Sequence, residues 1–119
     1  MYKSPACGCC QKWVEYMESH GFQVTTHDED ALDRIKDKLG VPGAVRSCHT
    51  AHAGGRIIEG HVPAEDVRRF LSGRPTALGL AVPGMVTGTP GMEVRGGPPA
   101  RYEVVAFSGD GTTRVYARH

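Results

Sequence analysis

The stretch Tyr2-Lys3-Ser4-Pro5-Ala6-Cys7-Gly8-Cys9-Cys10-Gln11-Lys12-Trp13 decides the fold. Met1 to Lys3 read as the end of a strand. Three residues are short for one, so the expectation is a natural chain that begins further upstream, as it would behind a cleaved leader. A helix then starts at the cysteines. Cys10, Trp13, Val14 and Met17 fall on one face at helical spacing, and Gly21 is a stop signal. Three thiols therefore sit where a first strand hands over to a first helix.

Working outward, Phe22, Val24 and Thr26 alternate and predict a second strand. Asp30 reads as an N-cap for a helix carrying Leu32, Ile35 and Leu39, ended by Gly40 and Pro42. Val45 to Ala53, the Gly54-Gly55 pair and Arg56 to Glu59 predict a β-hairpin. Pro63 followed by Ala64-Glu65-Asp66 opens a third helix, with Val67, Phe70 and Leu71 on its buried face and Gly73 at its end. Tyr102 to Phe107, a Ser-Gly-Asp-Gly turn and Thr113 to Ala117 predict a last hairpin. The order βαβαββα, then a loop belt, then ββ, is that of an α/β layered domain. Cysteines at the first strand–helix junction, followed by β-α-β-β-α, make the thioredoxin-like arrangement the expected one.

Composition narrows the function. At 119 residues the chain is expected to form one domain over 1–119, with a core (1–72), a belt (73–99) and a C-terminal hairpin (100–119). With 14 Lys and Arg against 13 Asp and Glu, nothing points to nucleic acid, and no apolar run reaches a membrane span. The 16 glycines and 8 prolines are concentrated between Gly73 and Pro99. That belt also carries Leu78, Leu80, Val82, Met85, Val86 and Met92, too much apolar surface for a linker in water. It is expected to pack on the body.

The thiols carry the chemistry. Cys7 and Cys10 form a C-x-x-C, the redox spacing at a helix start, while Cys7 and Cys9 form a C-x-C, a spacing of soft-metal sites. A helix N-terminus favours the thiolate, which helps redox attack and metal binding alike. The third thiol separates the two, because a dithiol enzyme needs only two. The fourth, Cys48, lies in Arg46-Ser47-Cys48-His49-Thr50 at the start of the predicted hairpin. In a thioredoxin-like fold that strand start lies beside the redox motif, so all four sulfurs are expected to converge; the bland alternative is a buried structural cysteine. One Zn²⁺ held by four thiolates leaves a net charge of −2, with only Lys3, Lys12 and Arg46 nearby in the pattern, and neighbouring Cys9 and Cys10 point apart. Several Cu(I) ions accept two or three ligands each, tolerate bridging sulfur and approach neutrality.

Met85 and Met92 each close a Pro-Gly-Met triplet, seven residues apart. Thioether sulfur suits Cu(I), so both are candidate ligands; filling gaps in the core is the alternative. Met17 belongs to the helix stripe. His49 and His61 flank the hairpin, where each has a supporting or capping role behind the ligands, with His61 kept as a candidate ligand. His20, His27, His52 and His119 show no spacing signal and are expected at the surface. Asp28, Glu29 and Asp30 read as a solvated helix start.

Taken together, Tyr2 to Cys10, Trp13, Gly40-Val41-Pro42, Ser47-Cys48-His49-Thr50, Ile58-Glu59-Gly60-His61-Val62-Pro63 and Ala81-Val82-Pro83-Gly84-Met85 resemble the CopG family of bacterial copper-resistance proteins. The resemblance runs over nearly the whole chain. It implies a thioredoxin-like fold, a periplasmic location and a cysteine-bridged cluster of several copper ions on Cys7, Cys9, Cys10 and Cys48, with Met85 and Met92 in the methionine segment. Other periplasmic copper-handling proteins are then candidate partners. The competing function is a thiol–disulfide oxidoreductase using Cys7 and Cys10. Against it stand Cys9, a rival partner inside the motif, and the Cys48-His49 stretch where that fold places a proline.

Overall fold

The computed structural model describes residues 1–73, 75–84, 88–90, 92 and 101–119. Among these residues, three helices and a seven-stranded mixed sheet are built in the order β1 (Tyr2–Lys3), α1 (Gly8–Ser19), β2 (His27–Asp28), α2 (Leu32–Leu39), a 3-10 turn (Gly43–Val45), β3 (His49–Ala53), β4 (Arg56–Glu59), α3 (Ala64–Ser72), β5 (Gly79–Ala81), β6 (Glu103–Phe107) and β7 (Thr113–Arg118). The strands lie side by side as β2-β1-β3-β4-β5-β6-β7. β1 runs parallel to β2, and β4 to β5. The other neighbours are antiparallel.

Both faces of the sheet are covered. Ile58, Leu80 and Ala106 pack with Cys10, Trp13, Val14 and Met17 of α1 and with Val67 and Phe70 of α3. Their chain neighbours Ile57, Ala81 and Phe107 point the other way, into a smaller core with Val41 and Val45. That alternation is the two-residue period of a strand. It explains why Ile57-Ile58 and Leu80-Ala81 are apolar without a break.

Four expectations change. The belt contributes a strand: Gly79–Ala81 lies between β4 and β6 and is fully buried. Glycine is required at its first position, because a Cβ on Gly79 would collide with the Ile57 carbonyl and stand 2.8 Å from the Phe107 ring. The strand expected over Phe22 to Thr26 does not form there; the second strand is His27–Asp28, just beyond it. Only Tyr2 and Lys3 of β1 offer it a ladder, in the register Tyr2↔His27 and Lys3↔Asp28, while Phe22 and Val24 pack half-buried on the main core. The residue before α2 is Ala31 rather than Asp30, and Glu29 accepts its N–H through Oε1 at 3.2 Å. Finally, β3 begins at His49 and not at Val45, which closes the 3-10 turn. Arg46 to Cys48 form a loop ahead of the strand.

Within α2 the apolar stripe is only half-buried, and the one buried residue is Lys36. His20, His27 and His52 are exposed as expected. His119 is exposed as well, yet its Nε2 lies 2.6 Å from the buried carboxylate of Asp66 and ties the chain end to α3.

Candidate metal centre

The cysteines of the first helix are placed by two anchors well beyond their own turn. Trp13 Nε1 donates to the Val62 carbonyl at 3.0 Å, and the Tyr16 hydroxyl accepts the Ala64 N–H at 2.9 Å. α1 is thus fastened to the turn that carries His61. Its own N-terminus has Cys7 in the capping position without a side-chain cap.

Across from it, the Arg46–Cys48 loop is held from two directions. Ser47 bridges Gly84 of the belt, its hydroxyl donating to the Gly84 carbonyl, and the Gly84 N–H returns a bond to the Arg46 carbonyl at 3.1 Å. On the other side the Ser47 N–H donates to Glu59 Oε2 at 2.9 Å. Gly60 must be glycine here: its φ is +78°, and a Cβ would press on the Ser47 side chain and the Val82 carbonyl.

These supports bring the four sulfurs of Cys7, Cys9, Cys10 and Cys48 within 4.8 Å of one another. Cys7 and Cys10 are joined as a disulfide, and Cys9 and Cys48 are free thiols. Cys9 Sγ stands 3.4 Å from Cys7 Sγ. Cys48 is half-buried against the main core, and its sulfur also faces polar groups: His61 Nε2 at 3.1 Å, His49 Nδ1 at 3.3 Å and Ser47 Oγ at 3.9 Å. Burial, and then the charge of nearby Cys9, push the Cys48 thiol up to about 11. A helix terminus has no hold on this cysteine, which sits on the strand side.

The two histidines differ in what they can offer. His61 Nδ1 lies 2.6 Å from the Pro90 carbonyl. A proline carbonyl only accepts, so Nδ1 carries the hydrogen. In the neutral ring this leaves the Nε2 lone pair aimed at Cys48 and the thiol cluster, the tautomer a metal ligand needs. His49 is fully buried, 4.5 Å from the Trp13 ring and 5.1 Å from the His61 ring. Burial, with the charges of His61 and Lys36, holds its pKa well below the ordinary value. Its Nε2 makes no hydrogen bond among the described residues, while its Nδ1 faces the Cys48 sulfur. Cys48, His49 and His61 form a second group of ligand atoms within 4.8 Å.

Met92 is half-buried; its backbone bonds Gly88 and Thr89, the two residues just before the Pro90 whose carbonyl faces His61. Met85 lies outside the described residues. Sequence reasoning missed Glu59 and Lys36, which hold the Cys48 loop from below. Their signal was a carboxylate closing the apolar run Ile57-Ile58 and a lysine inside the stripe of α2.

Two solved structures match this chain over almost its full length. Both are of copper resistance protein copG, in forms 1 and 2, each 42% identical with a TM-score of 0.91, covering 99% of this chain and 93% and 94% of theirs. The chain belongs to the CopG family of copper resistance proteins. A family described as protein of unknown function, DUF411, also matches residues 45–92, which span the Cys48 loop, β3, β4 and the His61 turn. No curated protein matches. The CopG structures share the mixed α/β architecture of this chain. Among the described residues no helix is long and apolar enough to cross a membrane.

Proposed function

We propose that this protein binds copper as part of copper resistance, holding several Cu(I) ions in a cluster bridged by Cys7, Cys9, Cys10 and Cys48. The observation that carries this reading is the approach of all four sulfurs to within 4.8 Å. Soft Cu(I) takes two or three thiolates and shares them, so a crowded set suits several ions better than one. The charge balance supports the same choice. Lys3 is engaged with Asp28 at 2.9 Å, and Arg46 with Asp37, so neither is at hand to neutralise a single Zn²⁺ tetrathiolate. His61 Nε2 is the nitrogen ligand of this reading, and His49 supports Cys48 from behind. Met85 and Met92 are proposed as thioether ligands from the belt. We read residues 1–119 as one thioredoxin-like domain acting in the periplasm beside other copper-handling proteins.

Loading consumes electrons and releases protons. The Cys7–Cys10 disulfide must take up two electrons before both sulfurs can bind, and each thiol gives up its proton to the solvent as copper replaces it. Elemental analysis after reduction and anaerobic Cu(I) loading should find more than one copper per chain, and fewer without reductant or at acid pH. Cys48→Ser should lower the count. A firm value of one, or retention of zinc alone, overturns the multi-copper reading.

The disulfide itself favours a second reading, a thiol–disulfide oxidoreductase using Cys7 and Cys10, alone or coupled to copper. Turnover of a small disulfide with a dithiol donor tests it. A rate no higher than the uncatalysed exchange removes it.

A further inference from the structure

Glu59 is a fully buried carboxylate two residues before His61 in the chain. Its oxygens are all occupied. Oε2 takes the Lys36 ammonium and the Ser47 N–H, the latter at 2.9 Å. Oε1 takes the Thr50 hydroxyl, and Lys36 Nζ also donates to Thr50 Oγ1 at 2.9 Å. Thr50 is the register partner of Glu59 across β3 and β4, and the Gly60 N–H donates to the His49 carbonyl at 3.0 Å. One side chain thus ties together two pieces of the strand side of the site: it precedes the Gly60-His61 turn and grips the residue before Cys48.

A buried ion pair by itself is weak grounds for a role. Replacing such a pair by apolar residues of similar size is often neutral or stabilising. What sets Glu59 apart is the third bond, to the Ser47 N–H in the loop ahead of β3. Resting on the copper reading above, we infer that Glu59 is a positioning residue for Cys48. Its carboxylate fixes the Ser47 peptide, and that peptide aims the Cys48 sulfur at His61 and the helix-start cysteines.

Two double variants test this. In Lys36→Met/Glu59→Gln the amide oxygen can still accept the Ser47 N–H while its NH₂ meets Thr50 Oγ1. In Lys36→Met/Glu59→Leu no acceptor remains. The first should keep the wild-type Cu(I) count. The second, with its fold checked by circular dichroism, should fall to the count of Cys48→Ser. A copper-independent arm uses the Cys9→Ser background, in which Cys48 is the free thiol beside the intact disulfide. There iodoacetamide should alkylate Cys48 about tenfold faster in the Leu variant than in the Gln variant, as a released thiol meets solvent. Equal alkylation rates and an unchanged copper count in a folded Leu variant overturn the proposal. Should that variant not fold, hydrogen exchange of the wild-type Ser47 N–H decides. Exchange as slow as the β3 and β4 amides supports the grip, and exchange as fast as the exposed Gly54-Gly55 turn overturns it. If the wild-type chain binds no copper while the Leu and Gln variants still differ in alkylation, the copper reading falls and the positioning role stands.

Discussion

The two shores of the thiol cluster are built by different means. Cys7, Cys9 and Cys10 are brought together by four residues of chain and the first turn of α1. Cys48 is brought to them by residues from α2, β3, β4 and the belt, through Lys36, Thr50, Glu59, Gly60 and Gly84. The helix shore is local and closed by a covalent bond. The strand shore is long-range and held by buried hydrogen bonds. A fault at half-buried Cys7 or Cys9 changes the thiols before it disturbs the core, whereas a fault on the second reaches the core first.

The sharpest way to break this contrast is Lys36→Met alone. It leaves the Glu59 carboxylate buried without its cation, and stability should fall by roughly 3–5 kcal/mol, read as a drop in the denaturation midpoint. No single change among the helix-start thiols should approach that in the reduced protein. Next comes Gly60→Ala. A side chain at φ +78°, pressed against Ser47 and 2.8 Å from the Val82 carbonyl, should cost roughly 1–3 kcal/mol in urea unfolding and shift the Cys48 loop. A variant as stable as wild type would show that the loop yields freely. The smallest effect is that of pH on the metal-free chain. His49 is held neutral when folded, so below about pH 6.5 the unfolded chain takes up a proton that the folded chain refuses. Stability should therefore be fully present above that pH and decline as the pH falls through it. His49→Gln should flatten the decline in a pH series of thermal melts.

The same contrast accounts for what could be read in the chain. Helical spacing from Cys10 to Met17, the Gly54-Gly55 turn and Pro63 with its acidic followers are local signals, and the elements they announce are present. So is the convergence of Cys48 on the other thiols, which followed from element order. The misses lie where partners are distant. β5 was hidden in the belt because its three residues, Gly79-Leu80-Ala81, become a strand only between β4 and β6. The Phe22–Thr26 alternation promised a strand, but pairing depends on what β1 supplies. Lys36 and Glu59 were not singled out, because only the register Thr50↔Glu59 brings them together beside the Cys48 loop.

The chain has a single tryptophan. Trp13 is 2% exposed, is bonded to Val62, and lies 4.5 Å from the ring of His49, whose Nδ1 touches Cys48. The indole that locks α1 to the His61 turn is therefore also an optical probe seated behind the thiols. Its ultraviolet emission needs no label and comes from one place. On the copper reading proposed above, loading should change the fluorescence of a residue whose first duty is to hold the helix in place.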